Sequence, residues 1–419
     1  MRFLHVADIH LGYQQYNSKE RFNDFGQAFL HVINEAVQQR VDFVLLAGDF
    51  FEKRTVDPLA MHQAVHGLQR LHDAGIPILA VEGNHERAHY RDQYSWLEFL
   101  DSLGLITLLD LPVQDGHLLL EPYTPEQRGA YVDLPGGVRV YGIKYYGAST
   151  DRVLELFGQA LTALDGPRPS YSILLTHAGL EGILPRCSGA ISREAVAPLR
   201  DRINYLALGH IHKNYNIEGW IFNPGSLETW AMDEVEWSER GYYAVELRAR
   251  SAMGHQARLV PTPRRRFIRE RLSVETCLTP EAVYKAVQSR LDALRLTATE
   301  ERPVVEFVLE GTLSFDRVQL DVSHIEGLIR QAINPLIARV QNATAPAGVD
   351  VNVCEGATRS EVEQQVLYEL IERDARFRPA AAEWTHVALA LKRMALEGNS
   401  PDTILGYLRH ARADLVGER

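Results

Sequence analysis

The chain has 419 residues, is 46% hydrophobic and 24% charged, and carries a formal net charge of −11. That length is too great for one compact core, so two or three domains are expected, and the composition is ordinary for a soluble globular protein. The acidity argues against a broad basic face for nonspecific nucleic-acid binding. No apolar run reaches the length of a bilayer, and no membrane association is expected. The absence of a basic segment followed by an apolar signal stretch, with three widely spaced cysteines (Cys187, Cys277 and Cys354), points to the cytoplasm and against a disulfide framework.

In chain order, strands are expected at residues 3–7, 43–47, 78–81, 138–143, 172–176 and 205–208. Helices are expected between the early ones, at 19–39, 58–74 and 92–103. Such alternation argues for an α/β layered fold over residues 1–265. A further strand at 242–247 follows without an intervening helix, which suggests an antiparallel portion closing that domain. A boundary falls in PTPRRRF, residues 261–267, and a small α/β module follows over 266–342. Its expected elements are a strand, a helix at 280–294, a strand at 304–309 and a helix at 323–339. Residues 343–359, rich in Ala, Gly, Thr and Asn, read as a linker. From 360 to 419 apolar residues recur at helical spacing, and Ser400-Pro401-Asp402 is a helix start with Ser as cap and Pro in the first turn.

The chemistry-bearing residues sit just past the strands. Asp8 and His10 follow the first, and Asp49 follows FVLLAG. Asn84 and His85 lie in GNHE, His177 follows SILLT, and His210 and His212 lie in GHIH. Alternation along a strand puts residues two apart on one side, so Asp8 and His10 are expected to reach a common point. An α/β fold gathers sites in this way at the carboxyl ends of its strands. Two aspartates, an asparagine and histidines suit Mn²⁺, Fe²⁺ or Zn²⁺, and the two oxygens of Asp49 can bridge a pair of ions. His85 has no ligand partner of its own and is the candidate to protonate a leaving oxygen.

The motifs DIH, GDF, GNHE, TH and GHIH, in that order, resemble the calcineurin-like metallophosphoesterases, whose fold is a layered β-sandwich flanked by helices. DIHLGYQQY, VDFVLLAGDFF, AVEGNHE, NPGSLE and GYYAVEL resemble one branch more closely, the SbcD-like nuclease subunit of DNA double-strand-break repair complexes. The likeness covers about residues 1–250. The 266–342 module matches that branch's capping domain only in size and pattern, and the tail only in position. The resemblance implies two divalent ions, with Mn²⁺ expected. Asp8, His10, Asp49 and His212 would hold one; Asp49, Asn84, His177 and His210 would hold the other. It implies a two-metal-dependent DNA phosphodiesterase, with endonuclease or exonuclease action. Its partner would be an SMC-like ATPase docked on the C-terminal helices. A homodimer would form through the helices near 58–74 and 92–103, and Tyr94, Trp96, Leu97, Phe99, Leu100 and Leu103 are apolar on more than one face of the second. The alternatives are a small-substrate phosphoesterase of the same fold and a non-catalytic scaffold.

Relatives carry a His three positions after the bridging Asp; here that position is Glu52, expected to face and repel a phosphate. Tyr13, Lys53, Arg54, Arg87, His89 and Arg91 are further candidates for substrate contact. Arg264, Arg265, Arg266 and Arg269 read either as a phosphate track or as a salt-bridged strand. His62 and His66 read as surface helix residues.

Overall fold

The computed structural model describes residues 1–86, 94–114, 117–164, 167–185, 187–248, 254–295, 302–346, 358–374 and 376–416. The chain divides into two compact units. The first takes Met1–Glu270, Leu294–Glu306 and Ile329–Arg339; the second takes Arg271–Ala293, Phe307–Leu328 and Val340–Arg419.

The first unit begins β1 (Arg2–Val6), α1 (Lys19–Gln39), β2 (Phe43–Ala47), α2 (Pro58–Asp73), β3 (Ile78–Val81), α3 (Trp96–Ser102) and β4 (Thr107–Leu108). It continues with β5 (Tyr131–Leu134), β6 (Val138–Ile143), α4 (Thr150–Ala163), β7 (Tyr171–Thr176), β8 (Tyr205–Leu208), β9 (Tyr215–Ile217), β10 (Ile221–Asn223), β11 (Gly241–Leu247) and β12 (His255–Pro261). One six-stranded sheet runs β12-β11-β1-β2-β3-β4, the other β9-β10-β8-β7-β6-β5. β1 to β4 are parallel, while β11 and β12 are antiparallel additions, the closing portion expected from the sequence.

Side-chain parity sorts the core. Phe3, Phe43, Leu45 and Leu79 of the first sheet meet Val140, Ile173, Leu175, Tyr205 and Phe222 of the second in one buried cluster. The alternate residues Leu4, Val44 and Leu46 turn the other way, onto Phe29, Val32 and Leu68 of α1 and α2. On the far side, Leu174 and Leu206 pack with Phe157 and Leu161 of α4, a helix with no counterpart among the expected elements. Strands buried on both faces read as continuous apolar runs, which is why FVLLA, ILAV and YLAL were legible.

Caps fix the helix starts. Ser18 accepts from Arg21 N, and Asp57 accepts from Leu59 N and Ala60 N with Pro58 in the first turn. Ser95 and Glu98 form a capping box, so α3 begins at Trp96 rather than at residue 92, which lies outside the described residues. Only one face of α3 is covered: Leu97 and Leu100 are buried, whereas Tyr94, Trp96, Phe99 and Leu103 are exposed.

Strands β13 (Phe267–Ser273), β14 (Val304–Glu310) and β15 (Ile337–Asn342) form a three-stranded sheet in that order. The helices α5 (Pro280–Arg295) and α6 (Val322–Ile333) alternate with them. The helix expected to reach residue 339 stops at Ile333. Asn334 takes a left-handed φ of +50° and Pro335 follows, which together end the helix and start a strand. The expected linker 343–359 lies mostly outside the described residues. The tail forms α7 (Arg359–Arg373), α8 (Ala381–Leu396) and α9 (Pro401–Val416), with Glu363 of α7 paired to Lys392 of α8. Leu370, Leu396, Leu405 and Tyr407 remain exposed on it. Among the described residues no helix is long and apolar enough to cross a membrane.

Candidate metal centre

The loops after β1 and β2 are stitched together. Ile9 N and His10 N both donate to Asp49 O, at 2.9 and 3.0 Å, and Asp8 N donates to Gly48 O at 3.2 Å. Asp8, His10, Asp49 and His210 all adopt left-handed φ, of +52°, +53°, +51° and +80°. Strand alternation is therefore not what gathers Asp8 and His10. They lie past the strand end, in a backbone region that costs an L residue roughly 1–2 kcal/mol and that concentrates at functional sites.

These turns bring ligand atoms to two neighbouring points. Asp8, His10 and His212 form one group and Asp49, His177 and His210 another, with ligand atoms within 4.8 Å of one another in each; His10, Glu52 and His85 make a third that shares His10 with the first. His10 Nε2 stands 3.0 Å from His212 Nε2. In the second group, Asn84 Oδ1 lies 3.1 Å from His177 Nε2 and 2.9 Å from His210 Nδ1, and Asp49 Oδ2 lies 3.3 Å from His177 Nε2. His85 N donates to Asp49 Oδ1 at 3.0 Å, while His85 Nε2 is 3.9 Å from Asp49 Oδ2. All seven expected ligands and His85 thus meet.

Outer partners orient the imidazoles, and none was singled out from the sequence as such. His212 Nδ1 donates to Glu234 Oε1 at 2.6 Å; Glu234 Oε2 accepts from Trp230 N at 2.9 Å and from buried Arg240 at 2.5 Å. His177 Nδ1 donates to Ala47 O at 2.7 Å and His210 Nε2 to Ser188 O at 2.6 Å. Glu86 is buried and accepts from Gly83 N, Phe51 N and Asp49 N at 2.8–3.0 Å. Only their placement after GNH or beyond NPGSLE hints at these roles; nothing local predicts the partner.

The charges are strongly perturbed. Burial opposes ionisation of Asp49, yet the adjacent His177 holds its carboxyl well below the usual range. Burial and the Asp49 charge push the Glu86 carboxyl up. Burial would lower His177, but Asp49 raises it to about 9. Burial likewise opposes protonation of His212, and the Glu234 hydrogen bond outweighs it. Two Nε2 atoms facing each other at 3.0 Å need a shared cation or a proton between them. With their Nδ1 atoms turned to carboxylates and Asp8 alongside, the donor set fits a divalent ion.

The remaining candidates are dispersed. Glu52, expected to face a substrate, turns its carboxylate to His10 Nδ1 at 3.0 Å and accepts from Trp230 Nε1 at 2.9 Å. The His10 Nδ1 contact is close but makes no hydrogen bond. Tyr13 stacks on Trp230, with ring centroids 5.4 Å apart. Lys53 and Arg54 are exposed; Arg87, His89 and Arg91 lie outside the described residues. The arginine run is salt-bridged in part: Arg265 pairs with Asp24 at 2.6 Å and Arg269 with Glu306 at 3.0 Å, while Arg264 donates to Ser238 O. His62 and His66 stack on each other on α2 and belong to neither ligand group.

The two-sheet α/β sandwich thus carries clusters of candidate metal ligands, histidines and carboxylates, at its strand ends. Residues 1–214 match the calcineurin-like phosphoesterase family, and the chain belongs to it. Over 250 residues it is 32% identical to the DNA double-strand break repair protein Mre11 of Archaeoglobus fulgidus, covering 56% of this chain and 52% of that protein. Over 253 residues it is 30% identical to Mre11 of Saccharolobus solfataricus, covering 59% and 60%. The chain thus spans about half the length of the first of these relatives and 60% of the second. Among solved structures, the calcineurin-like phosphoesterase YfkN from Bacillus subtilis matches with a TM-score of 0.37 at 13% identity, over 70% of this chain and 97% of that one.

Proposed function

We propose that this chain is a DNA phosphodiesterase working with two divalent ions, Mn²⁺ foremost, as the nuclease subunit of a repair complex. The observation that carries the reading is the gathering of the Asp8–His10–His212 and Asp49–His177–His210 groups at the strand ends, with His85 beside Asp49. Asp8, His10, Asp49 and His212 would hold one ion and Asp49, Asn84, His177 and His210 the other. When bound, such a pair polarises a phosphoryl group and supplies hydroxide near neutral pH.

The chain's own residues do the rest. His85 Nδ1 donates to Glu52 O at 2.5 Å, which fixes the ring and leaves Nε2 free; in the doubly protonated ring, Nε2 would hand a proton to a leaving oxygen and keep the Nδ1 proton on Glu52 O. The Asp49 carboxylate, held by His85 N, lies 3.3 Å from His177 Nε2 within its own ligand group. Tyr13, Lys53, Arg54, Arg87, His89 and Arg91 are the proposed substrate contacts. DNA as substrate is supported by the likeness to Mre11 proteins, whose name is that of double-strand break repair.

The exposed apolar residues Tyr94, Trp96, Phe99 and Leu103 support a homodimer through the α2–α3 region. The exposed Leu370, Leu396, Leu405 and Tyr407 support a tail that docks on an SMC-like ATPase. Purified protein with Mn²⁺ is to be assayed on single-stranded DNA, duplex DNA and a chromogenic phosphodiester. Cleavage of DNA is expected. Hydrolysis of the small ester alone would favour a small-substrate enzyme, and no hydrolysis at all would favour a scaffold.

A further inference from the structure

Residue 52 touches the centre at three points. Its carbonyl accepts from His85 Nδ1, and its Oε2 atom lies 3.0 Å from His10 Nδ1 and 2.9 Å from Trp230 Nε1. The two ring nitrogens of His10 point in opposite directions. Nε2 faces His212 within the ligand group, so the Glu52 carboxylate, against Nδ1, stands on the side of the ring opposite His212. Its side chain is only 10% exposed. A cation-bound His10 carries its proton on Nδ1, and the Glu52 carboxylate, with Oε2 3.0 Å away, is the negative charge that faces it.

The outer partners differ between the two positions. Around Asp8, His10 and His212, both ligating imidazoles are backed by carboxylates, Glu52 and Glu234. Around Asp49, His177 and His210, both are backed by neutral carbonyls, Ala47 O and Ser188 O. A carboxylate behind an imidazole strengthens it as a ligand more than a carbonyl does, because its full negative charge stabilises the cation-bound ring.

We propose that Glu52 is a positioning residue that backs His10 and makes the Asp8–His10–Asp49–His212 position the tighter of two unequal metal positions. The inference rests on the two-metal reading. It also gives Glu52 a task other than contact with substrate. The same Oε2 anchors Trp230, whose ring lies 5.5 Å from His212 and 6.0 Å from His10, so the indole is held against both ligands.

The test is calorimetric titration of the full chain with Mn²⁺ alone, in parallel with urea unfolding of the metal-free protein. The unmodified chain is expected to take up two ions with unequal affinities. Glu52→Ala should weaken the tighter one by about 10–100-fold, the usual cost of losing an outer partner, and leave the other within about threefold. Glu52→Gln keeps the shape and an acceptor but not the charge. It should lose on the order of three- to tenfold at that same position, giving an ordered series at one site that general loosening would not produce. Unchanged affinity in Glu52→Gln overturns the proposal even where Glu52→Ala fails to fold. Equal weakening of both ions overturns it too. An unmodified chain that takes up no Mn²⁺ refutes the two-metal reading itself, and this inference with it.

Discussion

Gly83→Ala is the most demanding test of how the centre is packed. A Cβ at residue 83 would stand 2.1 Å from Asp49 Oδ1, 2.5 Å from Asp49 N and 2.9 Å from Asp49 Cγ. Ordinary contact begins at 3.4 Å, so the carboxylate oxygen and the new methyl must part by about 1.3 Å. Asp49 has little room to yield. Its N donates to Glu86 Oε2, its Oδ1 accepts from His85 N, and its backbone O accepts from both Ile9 and His10. Overpacking of this kind costs about 1–3 kcal/mol of stability. The larger effect is on activity, because a displacement of about 1 Å at a reacting centre is worth roughly 10²-fold. Gly83→Ala is therefore expected to remain folded, with a lowered urea midpoint, and to lose about 10²-fold or more in Mn²⁺-dependent hydrolysis of a chromogenic phosphodiester. Gly327→Ala on α6, where the added methyl meets nothing within 4 Å, is the control and should match or exceed wild-type stability. Wild-type turnover in Gly83→Ala would show that Asp49 does not depend on that contact.

Asp49→Ala should abolish hydrolysis and lose bound metal, whereas His85→Ala should keep metal and lose about 10²–10⁴-fold in turnover; elemental analysis beside rate measurement separates them, and metal loss in the His85 variant would refute its assigned role. Trp96→Glu with Phe99→Glu, both on the exposed face of α3, should give a metal-binding monomer by light scattering, and an unmodified chain that is monomeric at micromolar concentration would refute the dimer. His5 lies buried between the sheets, bonded to Tyr205 Oη at 3.0 Å and Leu208 O at 2.9 Å, and burial pushes it down to about 3 against the counter-effect of the Leu208 carbonyl. Its folded pKa is depressed and its charged form is the protonated one, so its contribution is intact above pH 6.5. It is lost as pH falls from 6.5 towards 3, by up to about 1.4 kcal/mol per pH unit, because only the unfolded chain gains the proton. His5→Gln should flatten that acid limb in urea titrations at pH 7 and 4.5; parallel curves for the two proteins would contradict the assignment.

The apolar runs FVLLA, ILAV and YLAL, each closed by a turn residue and a polar group, determined from sequence alone that strands would deliver Asp49, Asn84 and His210 to one end of an α/β fold. Residue identity also determined the chemistry, since carboxylate, amide and imidazole at those ends are donors for divalent ions. The left-handed turns at Asp8, His10, Asp49 and His210 were not legible, because a period-two pattern says nothing about what the backbone does after the strand ends. The early stop of α6 hinged on two adjacent residues, Asn334 and Pro335, whose backbone preferences override the apolar period around them. Glu52 shows what only the tertiary structure decides. Its sequence neighbours Lys53 and Arg54 suggest a charged loop facing a phosphate, yet its carboxylate is drawn to His10 and to Trp230, which is 178 positions away. Likewise Glu234 backs His212 from a segment with no motif of its own, and Arg240 completes that chain of charges. Such outer partners are set by where chain segments cross in space. A single sequence records the identity of each residue but not the crossing that pairs them.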